Sequence, residues 1–326
     1  MATEAPTGVS PVFPIGTTLN ALGHLEVGGC DLIELAREFG TPAYVVAEDD
    51  LHERARAYLD GARAAHGGGS TDADVHAEPH VDVVYASKAF PCTAVLELFA
   101  GEGLWCDVAS GGELHLALGA GFPPARLVVH GNAKSLAELT RALEVAVGLI
   151  VIDNFDEIER LAALVAAGAL GDRASQRVLV RATPDVRGET HAKISTGQAD
   201  SKFGFSLADL PRALERVNAT AGLELRGLHA HVGSQLSDLT VFERAARELS
   251  AFGHFPVFDL GGGLAIPYTG EQRPPSIAEY MAALREAARR HLAPHEQLLV
   301  EPGRSLTGSS CVTLYTVESV KRNVST

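Results

Sequence analysis

A chain of 326 residues, 46% hydrophobic and 21% charged, has the composition of a globular protein and enough length for one large core with an appendage. Its formal net charge of −14 offers phosphate polyanions no broad attractive surface, so nucleic acid and anionic membrane are excluded as expected partners, whereas small anionic ligands are not. The opening MATEAPTGVSPVFPIG lacks the basic and apolar regions of a signal peptide, and no apolar stretch is long enough to span a bilayer. Cys30, Cys92, Cys106 and Cys311 show no C-x-x-C spacing, so the expectation is a soluble, unprocessed, cytoplasmic protein without disulfide framework or zinc knuckle.

In chain order, the segment PAYVVAEDDLHERARAYLDGARAA at residues 42–65 predicts a strand followed by a helix. HGGGSTDADVHAEPH, residues 66–80, has no apolar period and reads as an exposed loop. Its irregularly spaced histidines favour a solvated loop over a metal site, and no metal is expected. From residue 81 short apolar runs recur: VDVVYASK, GLWCDVAS, RLVVHGN, LIVIDN, RVLVRAT, LRGLHAHVGS, VFDLGGG and LLVEPGR. Runs rich in Val, Leu and Ile without strict alternation suit strands buried on both faces, and helical segments such as LAALVAAGAL and FERAARELSAFG separate them. Eight β-then-α units predict a (β/α)8 TIM barrel, with the 42–65 helix able to fill the outer position after the eighth strand. Beyond Arg304, the alternation in VTLYTVESVK predicts a strand leaving the barrel, with no following strand in the sequence to pair with it.

Active sites of such barrels lie at the carboxyl ends of the strands, so the residues closing each run carry the argument. They are Lys88, Asp107, His130 with Asn132, Asp153 with Asn154, Arg181, His229 and His231 with Ser234, Gly261 to Gly263, and Glu301 with Arg304. The glycine run Gly261, Gly262, Gly263 and the segment Pro302, Gly303, Arg304 fall where barrels build phosphate sites from backbone N–H groups, although a glycine run alone also describes a structural turn. Pyridoxal phosphate (PLP) chemistry needs a Schiff-base lysine, a partner for the pyridine nitrogen and a phosphate anchor, and this rim offers all three. Glu301 could hold the ring nitrogen protonated or serve as a structural salt-bridge carboxylate. A histidine ending an apolar strand, as His231 does, is often a satisfied core residue; stacked on a cofactor ring it would be both.

The strings YASKAF, WCDVASGGEL, HGNAKS, ISTGQADSKFGF, GLHAHVGSQ, DLGGGLAIPY and EPGRS, in this order over nearly the whole chain, resemble the diaminopimelate decarboxylase family. HAHVGSQ and the TG…SKFGF segment look more like these enzymes than the ornithine decarboxylases of the wider fold-type III group. The resemblance implies that Lys88 forms the Schiff base with PLP, that His231 stacks on its ring and that Glu301 meets the pyridine nitrogen. It implies further that Ser234, the 261–263 glycines and the 301–304 segment hold the cofactor, with Arg304 also placed for a substrate carboxylate. Asp107 would lie near the lysine, supporting it indirectly or directly.

The resemblance implies an alanine racemase-like barrel at residues 49–304, flanked by residues 1–48 and 305–326 as partial segments of a β domain. The reaction implied is decarboxylation of meso-2,6-diaminopimelate to L-lysine and carbon dioxide, in lysine biosynthesis. Two alternatives stand beside it: another fold-type III basic amino-acid decarboxylase, or a non-catalytic PLP-binding homologue. The family form is a homodimer whose C-terminal portion supplies a Cys-Glu-Ser motif and a tyrosine across the interface. Neither is found in this sequence, and Cys311 in SSCVTLY does not match that cysteine. The expectation that follows is a chain that takes up PLP and, alone, decarboxylates poorly.

Overall fold

The structure, a computed structural model, describes residues 9–10, 12–64, 80–184, 186 and 202–322. Eight strands follow one another in space as in sequence: β1 (His80–Ala86), β2 (Trp105–Val108), β3 (Leu127–Val129), β4 (Leu149–Ile152), β5 (Gln176–Thr183), β6 (Leu223–Ala230), β7 (Val257–Asp259) and β8 (Gln297–Val300). Every neighbouring pair is parallel, and the pairing of β8 with β1 closes the sheet into a barrel. Each of the eight apolar runs thus forms one barrel strand. The pairing also gives each strand two buried faces, which is why the runs lack alternation.

Around the barrel lie α1 (Glu48–Arg63), α2 (Thr93–Gly101), α3 (Gly111–Gly119), α4 (Leu136–Glu144), α5 (Phe155–Ala166), α6 (Leu210–Asn218), α7 (Thr240–Ser250) and α8 (Ile277–His291). Several begin where the sequence supplies a cap. Ser135 and Ser276 each form a capping box with the glutamate three residues on, and Ser110 and Asn154 accept the N–H of Glu113 and Glu157. Helix α1 packs against α8 and β1, the outer position expected for the 42–65 helix. Gly61 allows that approach, since a Cβ there would fall 2.8 Å from Met281, and the Tyr58 hydroxyl reaches Ser305 Oγ at 2.6 Å.

Strand alternation sorts the core into two shells. Val84, Val128, Leu149, Val151, Leu179, Val257 and Leu299, with Trp105, pack together inside the barrel, while Val83, Tyr85, Leu127, Val129, Val178 and Val180 belong to the larger core that includes the helices. Two residues beyond the inner apolar layer, toward the carboxyl ends, the same inward face carries Asp107, His130, Asp153, Arg181, Asp259 and Glu301. His229 joins them from β6, two residues past Gly227. All of these are buried.

Outside the barrel, Thr18–Leu19, Leu25–Val27 and Cys30–Asp31 form a small antiparallel sheet, followed by a helix at Leu32–Phe39 whose N-terminus is capped by Asp31. Ala43–Val46 pairs antiparallel with Cys311–Leu314. This corrects the expectation that the alternating C-terminal segment has nothing to pair with. Its first residues add to the strand at 43–46, near the other end of the chain, and Tyr315, Val317 and Val320 beyond them are exposed. His80, read as the end of the 66–80 loop, instead opens β1; the rest of that loop, and residues 194–201 of the TG…SKFGF segment, lie outside the described residues.

Among the described glycines, Gly227 leaves the least room for a side chain. The β5–β6 register is irregular between Leu225 and Gly227, and a Cβ on Gly227 would lie 1.7 Å from the Val257 carbonyl oxygen. Backbone cannot yield as a flexible side chain does, so Gly227→Ala is expected to cost about 3 kcal/mol or more, the upper end for overpacking. Gly119→Ala, at the end of α3 where a Cβ meets nothing within 4 Å, should be neutral or stabilising by about 0.5–1 kcal/mol. Urea denaturation of the two variants measures both, and equal stability would contradict the assigned packing.

Candidate active site

Lys88 leaves the barrel just past β1, in a single 3-10 turn at Ser87–Ala89 that turns its side chain over the mouth. Its Nζ donates to Asp107 Oδ2, at the end of β2. Partial desolvation works to lower the pKa of this half-exposed lysine, but the Asp107 and Glu301 carboxylates outweigh it and the ammonium is favoured. Asp107, which the sequence left between an indirect and a direct role, is thus the immediate partner of the lysine. Lys134 is committed elsewhere: it is buried and donates to Gly131 O, Val151 O and Glu157 Oε1 at 2.6 to 2.7 Å, tying the HGNAKS loop to β4 and α5.

Glu301 follows β8 and points into the mouth, its side chain 4% exposed. His130 Nε2 lies 2.6 Å from Oε1 without hydrogen-bond alignment, and His229 Nε2 reaches Oε2 at 3.4 Å. Glu301 Oε1 therefore has no hydrogen-bond donor among the described residues. Burial works to raise the Glu301 pKa, and the two facing imidazoles reverse this and hold it well below the usual carboxylate range. His229 is pushed down to about 4, by burial above all. A metal ion would hold such ligands at about 2.0–2.2 Å and keep them roughly 3.3 Å apart. The His130–Glu301 contact is shorter than that spacing.

His231 follows β6. Its Nδ1 accepts the Gly262 N–H at 3.3 Å, which leaves the neutral ring its proton on Nε2. Burial first, then the Arg181 and Lys88 charges, push its pKa down to about 3. The glycine run makes this approach possible: a Cβ on Gly261 would sit 2.8 Å from His231 Nδ1, one on Gly262 1.9 Å from Glu301 O, and Gly263 has φ +118°. Arg304 donates to the Tyr268 hydroxyl and, at 3.3 Å, to Ser234 Oγ.

Lys88, His231, Ser234, Gly263, Glu301, Gly303 and Arg304 line one cavity of about 490 Å³. Gly261, Gly262 and Pro302 stand behind its wall; the Pro302 carbonyl accepts the Ala86 N–H at 3.0 Å and so joins the lysine turn to the β8 loop. Asp107 also lies behind the wall, beneath Lys88. The sequence named His130, Arg181 and His229 only as strand ends on the rim, and gave no role to Asp259 or Tyr268. Arg181 Nη1 is 3.5 Å from Asp153 Oδ1 and its guanidinium lies 4.6 Å from the Phe203 ring, while Asp153 Oδ2 accepts the Gly204 N–H at 3.0 Å. These contacts fix the described end of the SKFGF segment to the rim. For His130, Arg181, His229 and Asp259 the signal was parity: they continue the inward face of strands whose other inward residues are apolar, whereas Tyr268 lies in the loop after β7.

A buried acceptor without a donor, a lysine on the same wall, a neutral flat imidazole and a glycine-lined recess suit a phosphorylated pyridine aldehyde. Residues 71–308 match the family described as "Pyridoxal-dependent decarboxylase, pyridoxal binding domain". The chain is thus a PLP-dependent decarboxylase of fold type III, and PLP is its cofactor.

The diaminopimelate decarboxylase of Mycobacterium bovis is 43% identical over 95% of this chain and 69% of its own length. That of Bacillus subtilis is 40% identical over 93% of this chain and 69% of its own. The crystal structure of diaminopimelate decarboxylase from M. jannaschii in co-complex with L-lysine matches with a TM-score of 0.82 at 28% identity, covering 94% of this chain and 71% of that one. The chain belongs to the diaminopimelate decarboxylase family.

The two depressed histidines make stability fall in acid. Both are neutral when folded and titrate near the ordinary 6.5 when unfolded, so below about 6.5 the unfolded chain binds more protons. Their contribution is fully present above pH 6.5 and is lost as pH falls toward about 4 for His229 and about 3 for His231, each on the order of 1 kcal/mol per pH unit. Denaturation midpoints from pH 8 to pH 5 should show the decline begin near 6.5, and His229→Gln should make it shallower. A midpoint independent of pH over that range would contradict the burial of these rings as neutral groups.

Proposed function

We propose that this chain decarboxylates meso-2,6-diaminopimelate to L-lysine and carbon dioxide, with PLP carried on Lys88. The observation that supports this most is the convergence of Lys88, His231 and Glu301 on one cavity, with Glu301 Oε1 still open to a donor. Bound there, PLP supplies the sink for the electron pair released as the substrate α-carboxylate departs.

The side chains divide the remaining work. Lys88 Nζ would hold the cofactor, and Asp107 keeps that nitrogen in reach and accepts its hydrogen bond. Glu301 Oε1 keeps a proton on the pyridine nitrogen, because an anionic carboxylate favours the charged ring. His231, neutral throughout the working range, would offer the ring a flat face without adding a second positive charge. Gly263 and Gly303 let the backbone approach the phosphate, and Arg304 with Ser234 binds an anionic oxygen of the phosphate or of the substrate. Excluding water from the mouth strengthens each of these interactions.

A barrel at 49–304 flanked by segments of a β domain, a homodimer and a cytoplasmic setting belong to the same reading. It is supported by the pairing of 43–46 with 311–314, the family resemblance and the four unbridged cysteines. No described helix is long and apolar enough to cross a membrane.

Borohydride trapping of the PLP-loaded chain, followed by peptide mapping, should label Lys88, and Lys88→Ala should lose the yellow absorbance with its fold intact. A label on Lys134 or Lys202 with Lys88 untouched would overturn the assignment. Glu301→Gln should slow carbon dioxide release by on the order of a hundredfold, as expected for loss of a preorganised charge, while weakening PLP binding far less. Arg304→Ala should instead raise the cofactor dissociation constant or the Michaelis constant. With PLP at saturation, turnover should favour diaminopimelate over ornithine and arginine; preference for either of the others would refute the substrate.

A further inference from the structure

Beneath the cavity floor lies a buried acid that the mechanism above leaves unused. Asp259, at the end of β7, is fully buried. Its Oδ1 accepts the Gly261 N–H at 2.8 Å, and its Oδ2 has no donor among the described residues. One polar atom from each of His130, His229, Asp259 and Glu301 lies within 4.8 Å of the others. Two carboxylates so close, out of water, do not both ionise; one keeps a proton and the other takes the charge. The imidazole contacts at 2.6 and 3.4 Å both go to Glu301, so the charge belongs there and the proton on Asp259.

We propose that Asp259 is a positioning residue: as a neutral carboxylic acid it donates from Oδ2 to Glu301, and thereby keeps Glu301 anionic and aimed at the pyridine nitrogen. The inference rests on the reading of Glu301 as that nitrogen's partner. Burial first, then the Glu301 charge, raises Asp259 well above the usual carboxylate range in spite of the Gly261 N–H. The other titratable or charged groups bearing on the pair are Lys88 after β1, Asp107 from β2, His130 after β3, Arg181 from β5, His229 from β6, His231 after β6 and Tyr280 from α8. Of these, Arg181 is the fixed cation, and Asp153 and the Phe203 ring hold it at the rim.

Asp259→Asn and Asp259→Leu, compared in the PLP-loaded chain with Glu301→Gln as control, test the idea. Asparagine puts an amide N–H where the acid O–H stood and keeps the acceptor for Gly261; leucine has no donor. The asparagine variant should hold kcat within about threefold of wild type, whereas the leucine variant should lose about tenfold or more with little change in KM. The acid limb of its kcat profile should move to higher pH, because Glu301 without its donor protonates more readily. Independently of catalysis, the infrared difference spectrum of wild type minus Asp259→Asn should contain the C=O stretch of a protonated carboxyl. Absence of that band, or an asparagine variant as slow as the leucine one, would overturn the proposal for Asp259. Wild-type turnover in Glu301→Gln would instead overturn the reading of Glu301.

Discussion

Charge buried at the mouth of a closed barrel is the constraint on which the rest of the site depends. Because the strands alternate, every polar residue two positions beyond the inner apolar layer is turned onto the barrel axis, where little water reaches it. An isolated charge there would cost several kcal/mol, so the ring survives only as a network of matched pairs. Lys88 with Asp107, Arg181 with Asp153, and Glu301 with His130 and His229 are those matches. What is left over is an anionic glutamate with one oxygen open and a lysine on the cavity wall, the two groups proposed to act on the cofactor.

The backbone makes that network useful by bringing reactive groups closer than side chains would allow. The glycines after β7 let His231 and the β8 loop crowd together, and the Pro302 carbonyl ties the loop to the turn that carries Lys88. Helix α1 in turn braces the segment after Arg304 through the Tyr58–Ser305 contact. The lysine, the glutamate and the histidine are therefore positioned by the ends of β1, β8 and β6, with the glycines after β7 between the last two, and not by independent loops. Positioning of this kind is what permits a cofactor's intrinsic chemistry to be directed to one bond.

Much of this was legible in the sequence because burial on both faces leaves a strong mark. Eight continuous apolar runs gave eight strands, and the residues closing them included Lys88, His231, Glu301 and Arg304, which meet at one cavity. Asp259 escaped notice because it sits inside VFDLGGG, where the glycines draw attention from it. Its meaning depends on facing Glu301 from the neighbouring strand, a relation set by the β7–β8 register. His130 and His229 could be named as strand ends, but their joint contact with Glu301 joins β3, β6 and β8, a relation no local pattern carries. The short strands at 18–31 are too brief for a period, and the partner of 311–314 lies near the opposite end of the chain.

The central claim is that Glu301 remains an anion in its buried nest and so keeps a bound pyridine ring protonated. The most direct measurement is the nitrogen-15 NMR shift of PLP labelled at the ring nitrogen and bound to the intact chain, recorded from pH 6 to pH 9. The account predicts a pyridinium shift that is constant over this range and is lost in Glu301→Gln. A neutral-pyridine shift in the wild-type chain, or a shift unchanged by the substitution, would contradict it.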